Sequence, residues 1–281
     1  QDIEEADSND HLASLLEGFA GPSAPHLVQW VVEPQLQLAL SERPERTTSE
    51  DEKKNMPTDT AGEGARTEEE EAVQGIATWG GTPWAGKGEC FKGDLEMHEM
   101  KVGIYTDEQA VKNMGSRTKT RVEAMVNQAS FVFEMQMHIA LKIGDMKMNM
   151  AEFGSCPFPK AMADRLYKLK NLAQKKKVPF MAASHVFTGC NSRVGGMAFL
   201  GVICRGGINV ASNQVGGSWI TFAHELGHNF GAHHTFEEGK RKTGGIMDYS
   251  DGKLDGHYQF NTKYRKREVC KLLNSKVNKC S

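Results

Sequence analysis

The sequence predicts an α/β fold, of the α+β kind, in which helices pack on a twisted and mostly parallel sheet. Between residues 98 and 189, stretches with strand-like patterning alternate with stretches whose apolar residues recur every three or four positions. The resulting order, strand–helix–strand–helix–strand, requires crossover connections and so places parallel strands in one sheet. With 281 residues, the chain can hold one good-sized globular domain and an appendage.

The elements follow from local patterns. In chain order we expect a strand at 100–105, a helix at 116–133, a strand at 137–143, a helix at 162–172 and a strand at 180–189. The last of these strands is apolar almost throughout, so we expect it to be buried on both faces. The C-terminal stretch KYRKREVCKLLNSKVNKC has apolar residues at helical spacing and predicts a final helix.

A dense pattern of histidines begins at His224 with HELGHNFGAHH. His224 and His228 are four residues apart, so one helical turn places both imidazoles on one face with Glu225 beside them. Gly231 can adopt the left-handed conformation that ends a helix, which lets His234 turn back as a third ligand. Three histidines leave the fourth tetrahedral position of a Zn²⁺ ion to water, which is typical of a catalytic site.

The length of this motif separates it from a chance match. A lone HExxH arises by chance in long helices, whereas HExxHxxGxxH with a downstream methionine fixes many more positions.

His233 is interpreted as a solvent-facing neighbour, because His234 has the ligand spacing. A Ca²⁺ ion is compatible with the sequence, but no motif indicates one.

The extended motif, together with the glycine-flanked Met247 in GGIMDYSDG, resembles the metzincin zinc endopeptidases. HELGHNFG is most similar to their adamalysin (reprolysin) branch, which includes ADAM proteases and snake-venom metalloproteases. Thr235 departs from that branch, where Asp usually follows the third histidine, and is closer to the small hydroxyl residue of matrixins. Tyr249 resembles the tyrosine in the IMxY motif of astacins and serralysins, which can contact the zinc.

This resemblance implies a metzincin-like sheet with an antiparallel edge strand, an active-site helix, a Met-turn and a C-terminal helix. It implies that Glu225 is the general base, that Met247 is an apolar floor under the ligands, and that Tyr249 contacts the zinc or the oxyanion. The segment GGMAFLGVIC resembles the adamalysin edge strand, and an exposed edge can take an extended protein or peptide substrate as a further strand. The implied substrate-binding residues are Gly196, Met197, Ala198, Phe199, Leu200 and Gly201.

Charge divides the chain into an acidic leader, residues 1–75, and a basic remainder. The leader has 18 acidic and 5 basic side chains, a net charge of −13, and because the whole chain has 36 and 34, residues 76–281 have a net charge of +11. We expect residues 1–75 to be a largely disordered leader or a prosegment. In the zymogen alternative, this acidic leader covers the basic domain and inhibits it. Residues 76–97 are a linker or domain start, and 98–281 form the catalytic domain. The apolar exception, residues 26–40, is either a prosegment fragment lying over that domain or a linker with transient structure.

Six cysteines, all from Cys90 onward and outside CxxC pairs, favour disulfides and an oxidising compartment. Six reduced buried thiols in a cytosolic protein are the alternative. By resemblance to adamalysins, whose edge-strand cysteine is tied to the C-terminal helix, we expect Cys204 to pair with Cys280. The next expectations are Cys190 with Cys270 and Cys90 with Cys156.

The sequence indicates a secreted or extracellular protein whose signal sequence is not present in this chain. No apolar run approaches the ~20 residues of a transmembrane helix. No specific nucleic-acid partner is expected, although polyanion binding by the basic C-terminal helix stays an open alternative to a solvated face. The predicted function is that of a zinc endopeptidase, with a latent zymogen or a non-catalytic zinc-stabilised binding protein as the alternatives.

Overall fold

The computed structural model describes residues 27–31, 79–85, 90–91, 94, 96–205, 210–214 and 219–280. The predicted disorder of the leader concerns positions outside this set, apart from residues 27–31. In chain order the described elements are β1 (Leu27–Val31), β2 (His98–Asp107), α1 (Glu108–Met114), α2 (Thr118–Met137), β3 (Ile139–Met150), α3 (Ala161–Gln174), β4 (Ala183–Thr188), β5 (Val194–Phe199), β6 (Val210–Gln214), α4 (Trp219–Asn229), β7 (Lys253–Leu254), β8 (His257–Tyr258) and α5 (Thr262–Cys280). None of these helices is both long enough and apolar enough to cross a membrane.

One sheet organises the fold, with the strand order β1-β5-β6-β4-β2-β3. The strands β6, β4, β2 and β3 run parallel to one another, and β5 runs antiparallel to β6. The predicted α/β fold with a mostly parallel sheet and an antiparallel strand is therefore confirmed. All six residues of β4 are buried, as its apolar sequence predicts.

The outer side of β5 is not free in this structure. The five residues of β1 pair with it in antiparallel fashion, so β1 rather than β5 lies at the margin of the sheet. The reason is the apolar sequence of Leu27–Val31, which forms a strand within an otherwise polar leader. For the described residues 27–31, this pairing supports the interpretation in which the segment packs on the folded part of the chain rather than the one in which it is a linker.

Helices pack on both faces of the sheet, which gives two apolar clusters. One face carries α2 and α4, where Phe133 lies 5.1 Å from Phe230 and 5.2 Å from Phe260, measured between ring centroids. The other face carries α3, whose Met162, Leu166 and Leu169 are fully buried. The site helix α4 is thereby fixed between the sheet and α2.

Two local features differ from the sequence prediction. Met137 is the last residue of α2 rather than part of the second strand, because His138 adopts a left-handed conformation (φ 55°) that ends the helix. The short helix α1 was not predicted. It begins at Asp107, whose side chain accepts a hydrogen bond from the Ala110 N–H and so caps the helix.

The segment before β2 packs on the C-terminal helix. Trp84 is almost fully buried, and its indole Nε1 donates to Thr262 Oγ1 at 2.8 Å. The Phe91 N–H donates to Asn274 Oδ1 at 2.7 Å. This contact brings Cys90 beside α5, where it forms a disulfide with Cys270.

The disulfides correct two of the expected pairings. Cys90 pairs with Cys270 and Cys156 with Cys190, so the expected pairs Cys190–Cys270 and Cys90–Cys156 are wrong. The observed pairing of these cysteines depends on contacts between segments that are far apart in the chain, and local sequence does not reveal such contacts. Cys204 is also disulfide-bonded. The side chain of Cys280 lies outside the described ones, so Cys204–Cys280 stays a prediction. Reduced buried thiols are excluded for the five described cysteines.

A buried ion pair joins the strand ends near the second disulfide. Arg165 and Asp107 are both inaccessible to solvent, and Arg165 Nε donates to Asp107 Oδ2 at 2.8 Å. The other carboxylate oxygen, Oδ1, accepts hydrogen bonds from the Ala110 and Gly189 N–H groups. The guanidinium also donates to the backbone carbonyls of Phe153, Gly154 and Ser155. This arrangement ties α3 and the loop before it to the ends of β2 and β4.

Candidate metal centre

The helix α4 and the turn after it bring three histidines together. His224 and His228 lie on one buried face of the helix. Gly231, with φ of 90°, turns the chain, and the Ala232 N–H donates to the Gly227 carbonyl at 2.9 Å to close the helix end. His234 then returns, with its Nε2 atom 3.3 Å from Nε2 of His228. One ring nitrogen from each of the three histidines lies within 4.8 Å of the others.

Backbone carbonyls orient two of these rings. His224 Nδ1 lies 2.7 Å from the Ile246 carbonyl, and His228 Nδ1 lies 2.7 Å from the Ala232 carbonyl. A carbonyl oxygen only accepts, so Nδ1 of each ring must carry the proton. The Nε2 lone pairs are then left for a metal, and this is the usual outer support of metal-binding histidines. The donor set fits Zn²⁺, which prefers neutral imidazole nitrogens.

Electrostatics keep the imidazoles neutral. Burial, with the charge of His234 adding to it, lowers the pKa of His224 to about 3 against the opposing effect of the Ile246 carbonyl. Burial also lowers the pKa of His228 well below its usual value. The pKa of His234 falls to about 4, chiefly through burial and then through the charges of His233, Arg265 and Lys240. The unprotonated form that binds metal is therefore the stable one near neutral pH.

Glu225 follows His224 on the helix α4 and is fully buried. Neither of its carboxylate oxygens has a hydrogen-bond partner among the described residues. Burial raises the pKa of this carboxyl group well above its usual value. A buried carboxylate without a partner is costly in a folded protein, so its presence indicates a site that takes a further ligand.

The backbone of β5 closes against this carboxylate at Gly196. A Cβ atom at this position would lie 2.3 Å from Glu225 Oε1, so only glycine leaves room for the side chain of Glu225. Farther along the same strand, the Asn229 side-chain amide donates to the Phe199 carbonyl at 2.8 Å. The structure thus holds β5 and the metal-site helix in one fixed relation.

The six residues predicted to form the substrate-binding strand fall into two groups, and the strand ends at Phe199. Gly196, Met197, Ala198 and Phe199 belong to β5, whereas Leu200 and Gly201 lie in the turn that follows it. In that turn the Gly201 N–H donates to the His228 carbonyl at 2.8 Å. The expectation that Leu200 and Gly201 belong to the edge strand is therefore wrong, because their backbone forms a turn tied to α4. Their contact with a substrate stays a prediction.

Met247 lies directly under the helix. It is fully buried, and a Cβ atom at Gly227 would lie 2.7 Å from its sulfur. The Met247 carbonyl accepts a hydrogen bond of 2.9 Å from the N–H of Thr235, the residue after the third histidine. The apolar side chain thus forms a floor for the helix, and its backbone is linked to the third histidine through Thr235.

Asp248 and Asn229 fix the backbone around the metal centre, a role that the motif search did not assign to them. The Asp248 carboxylate is buried and accepts hydrogen bonds from the backbone N–H groups of Arg241, Gly244 and Tyr249 at 2.7–2.8 Å. It therefore fixes the loop around Met247. Their position in the sequence could have indicated this role, because Asp248 directly follows Met247 and Asn229 directly follows His228.

Aromatic rings form one wall of the centre. The Tyr249 hydroxyl lies 3.3 Å from His234 Nε2. Phe236 stacks on the His234 ring at 4.9 Å between centroids, and Lys240 Nζ lies 4.8 Å from the centroid of the Tyr249 ring. Tyr249 can therefore reach a group bound at the three histidines.

His233 takes no part in the triad. Its side chain is 59% exposed, and its N–H and Nδ1 atoms contact the Glu268 carboxylate at 2.8 and 3.1 Å. Its neighbour His234 provides the third nitrogen, in agreement with the spacing argument.

Comparison with known proteins identifies a family and similar solved structures, of which one is described below. Residues 98–264, more than half of the chain, match a reprolysin family model described as "Metallo-peptidase family M12". No curated protein matches the sequence. One solved structure, described as "Structure of a chaperone-substrate complex", is similar with a TM-score of 0.49 and 14% identity. The match covers 66% of this chain and 36% of that chain.

Proposed function

Because the chain belongs to metallo-peptidase family M12, we propose that it is a zinc-dependent endopeptidase of the adamalysin type, which hydrolyses peptide bonds within proteins. The observation that carries this proposal is the juxtaposition of the three-histidine cluster with the buried carboxylate of Glu225. A zinc site that only stabilised a fold would have no use for an unpartnered carboxylate beside it. Glu225 therefore argues against a non-catalytic zinc-stabilised binding protein.

His224, His228 and His234 hold the zinc ion in this proposal. When bound, zinc lowers the pKa of a coordinated water and polarises the scissile carbonyl. Glu225 accepts the proton of the attacking water and then delivers it to the amine that leaves. Burial raises the pKa of this carboxyl group above its usual value, which makes it a better acceptor for the proton of the water. The Tyr249 hydroxyl donates a hydrogen bond to the oxyanion that develops.

The substrate is a protein or peptide bound in extended form along β5. This strand lies against Glu225 through Gly196, which supports its use as the binding strand. Main-chain hydrogen bonds to β5 give affinity with little dependence on substrate sequence.

We further propose that the protein is secreted and that residues 98–281 form the catalytic domain, with 76–97 as its start and the acidic leader as a prosegment. The two disulfides with described partners support an oxidising compartment. No role is proposed for Ca²⁺ or for nucleic acid.

Removal of zinc should abolish cleavage. We expect the chain to cut an unstructured protein such as reduced casein, to lose this activity when a chelator removes the metal, and to regain it with one equivalent of Zn²⁺. Cleavage is measured by mass spectrometry of the fragments and zinc by elemental analysis. Cleavage that persists after complete removal of zinc would contradict the proposal.

Replacement of Tyr249 by Phe should lower kcat without loss of zinc. We expect a decrease of about tenfold to a hundredfold, because one donor to the oxyanion is removed. The zinc content should match that of the wild type, since the three histidines are unchanged. Tyr264→Phe is the matched control, because this tyrosine bonds Glu238 on the exposed surface. An unchanged kcat in Tyr249→Phe would remove Tyr249 from the mechanism.

A further inference from the structure

The loop between the third histidine and Met247 carries a run of positive charge. Lys240, Arg241 and Lys242 are consecutive, and all three are exposed. The first of them lies over an aromatic ring, with its Nζ atom 4.8 Å from the centroid of Tyr249. The electron-rich face of a tyrosine attracts a cation, so the ring holds the ammonium group of Lys240 in place.

The ring under Lys240 belongs to the wall of the metal centre. The Tyr249 hydroxyl lies 3.3 Å from His234 Nε2, and the Phe236 ring packs edge-on against Tyr249 at 4.9 Å between centroids. Burial is the main reason why the pKa of His234 is low, and the charge of Lys240 adds to this effect. The ammonium group therefore lies within about three residues of an extended peptide from the metal-binding nitrogen, at ~3.3 Å per residue.

The three acidic side chains nearest to Lys240 in the sequence are engaged elsewhere. Glu237 and Glu238 pair with cations of α5. The Asp248 carboxylate accepts hydrogen bonds from three backbone N–H groups. Lys240 itself forms no ion pair with the part of the chain that the structure describes. Its charge is therefore available to an anionic group of a bound polypeptide, and such complementarity gives specificity.

We propose that Lys240 is a specificity-determining residue, which binds the carboxylate of an aspartate or glutamate side chain within about three residues of the bond to be cut. This inference rests on the proposed function and deepens it, because it names the class of substrate as polypeptides with an acidic residue near the scissile bond. The overall charge agrees, since the net charge of +11 on residues 76–281 attracts acidic polypeptides.

Three variants separate the charge of Lys240 from its bulk. Lys240→Met keeps an unbranched apolar stem and removes the charge, whereas Lys240→Glu reverses the charge. The matched control is Lys242→Met, because Lys242 lies two residues farther along the same loop with its stem against Gly239. Zinc content and circular dichroism should agree among the wild type and the three variants.

The first measurement is binding of zinc-chelating peptides to the zinc-loaded protein, followed by calorimetry. The probes are alanine tripeptides with a hydroxamate at one end and a neutral blocking group at the other. Two series place the hydroxamate at either end, so that the chain runs from the metal in both directions. Each position in turn carries Glu or Gln, which differ in charge but hardly in size.

We expect one probe position at which Glu binds about threefold more tightly than Gln in the wild type and in Lys242→Met, as for a partly exposed ion pair. The ratio of the two affinities should fall to about one in Lys240→Met, because the cation is absent. It should fall below one in Lys240→Glu, because like charges repel. A ratio near one at every position of the wild type, an unchanged ratio in Lys240→Met, or no binding of any probe would overturn the proposal.

The second measurement maps the bonds that are cut in reduced and alkylated serum albumin by mass spectrometry. We expect Asp or Glu to be enriched at the probe position that preferred Glu, and this enrichment should fall at least about twofold in Lys240→Met but not in Lys242→Met. Equal enrichment in all active proteins would overturn the role of Lys240 and leave the endopeptidase assignment standing. If the probes follow the expected pattern and no protein cuts albumin, the acidic-residue site stands and the endopeptidase assignment fails.

Discussion

Glu225→Ala should abolish proteolysis while leaving the metal in place. We expect kcat/KM on an unstructured protein to fall about 10²–10⁴-fold, the usual contribution of a positioned general base. The three histidines are untouched, and two of them keep the carbonyls that orient them. The zinc content should therefore stay at one ion per chain. Cleavage is measured from fragments by mass spectrometry, with zinc determined on the same samples.

The control for this variant is Glu238→Ala. Glu238 lies in the loop between His234 and Met247, but it is exposed and bonds Lys263 and Tyr264 on the surface. Its removal should change kcat/KM less than about twofold, because exposed ion pairs contribute little to stability. If Glu225→Ala kept activity within tenfold of the wild type at equal zinc content, Glu225 would not be the base.

Arg165→Met should produce the largest loss of stability. Asp107 and Arg165 are both fully buried, so removal of the guanidinium leaves an uncompensated charge in the interior. Breaking such a pair costs about 3–5 kcal/mol. The substitution also removes the donors to the carbonyls of residues 153–155. The free energy of unfolding, measured by urea titration of the disulfide-intact protein, should fall by that amount.

Lys175→Met provides the comparison for a charge removed from the exposed end of the same helix. We expect its free energy of unfolding to change by less than about 0.5 kcal/mol, as for most surface substitutions. Loss of less than about 1 kcal/mol in Arg165→Met would show that Asp107 finds other partners or becomes neutral at little cost.

The metal centre could be predicted from the sequence because its geometry is mostly local. The separation of His224 and His228 by one helical turn, and the turn at Gly231, follow from backbone preferences within eleven residues. Gly231 does adopt positive φ, and the three histidines converge. Likewise, the alternation of strands and helices predicted a mostly parallel sheet without any knowledge of long-range contacts.

The parts that could not be predicted depend on contacts between remote segments. The pairing of Leu27 with Phe199 is favoured by apolar composition, but composition does not say which strand will accept the segment. The Cys90–Cys270 disulfide depends on Trp84 and Phe91 packing against α5, and nothing near Cys90 in the sequence points to that helix. The role of Asp248 was not predicted for a different reason, since it consists of three backbone contacts rather than a motif.

The disulfide between Cys90 and Cys270 closes a covalent ring around the metal centre. The two cysteines are 180 residues apart, and the ring between them contains Glu225 and all three histidines. The acidic leader lies wholly outside this ring. A protease that cut the chain anywhere before Cys90 would therefore remove leader residues without opening this ring. The disulfide-closed segment that holds the metal site would stay intact.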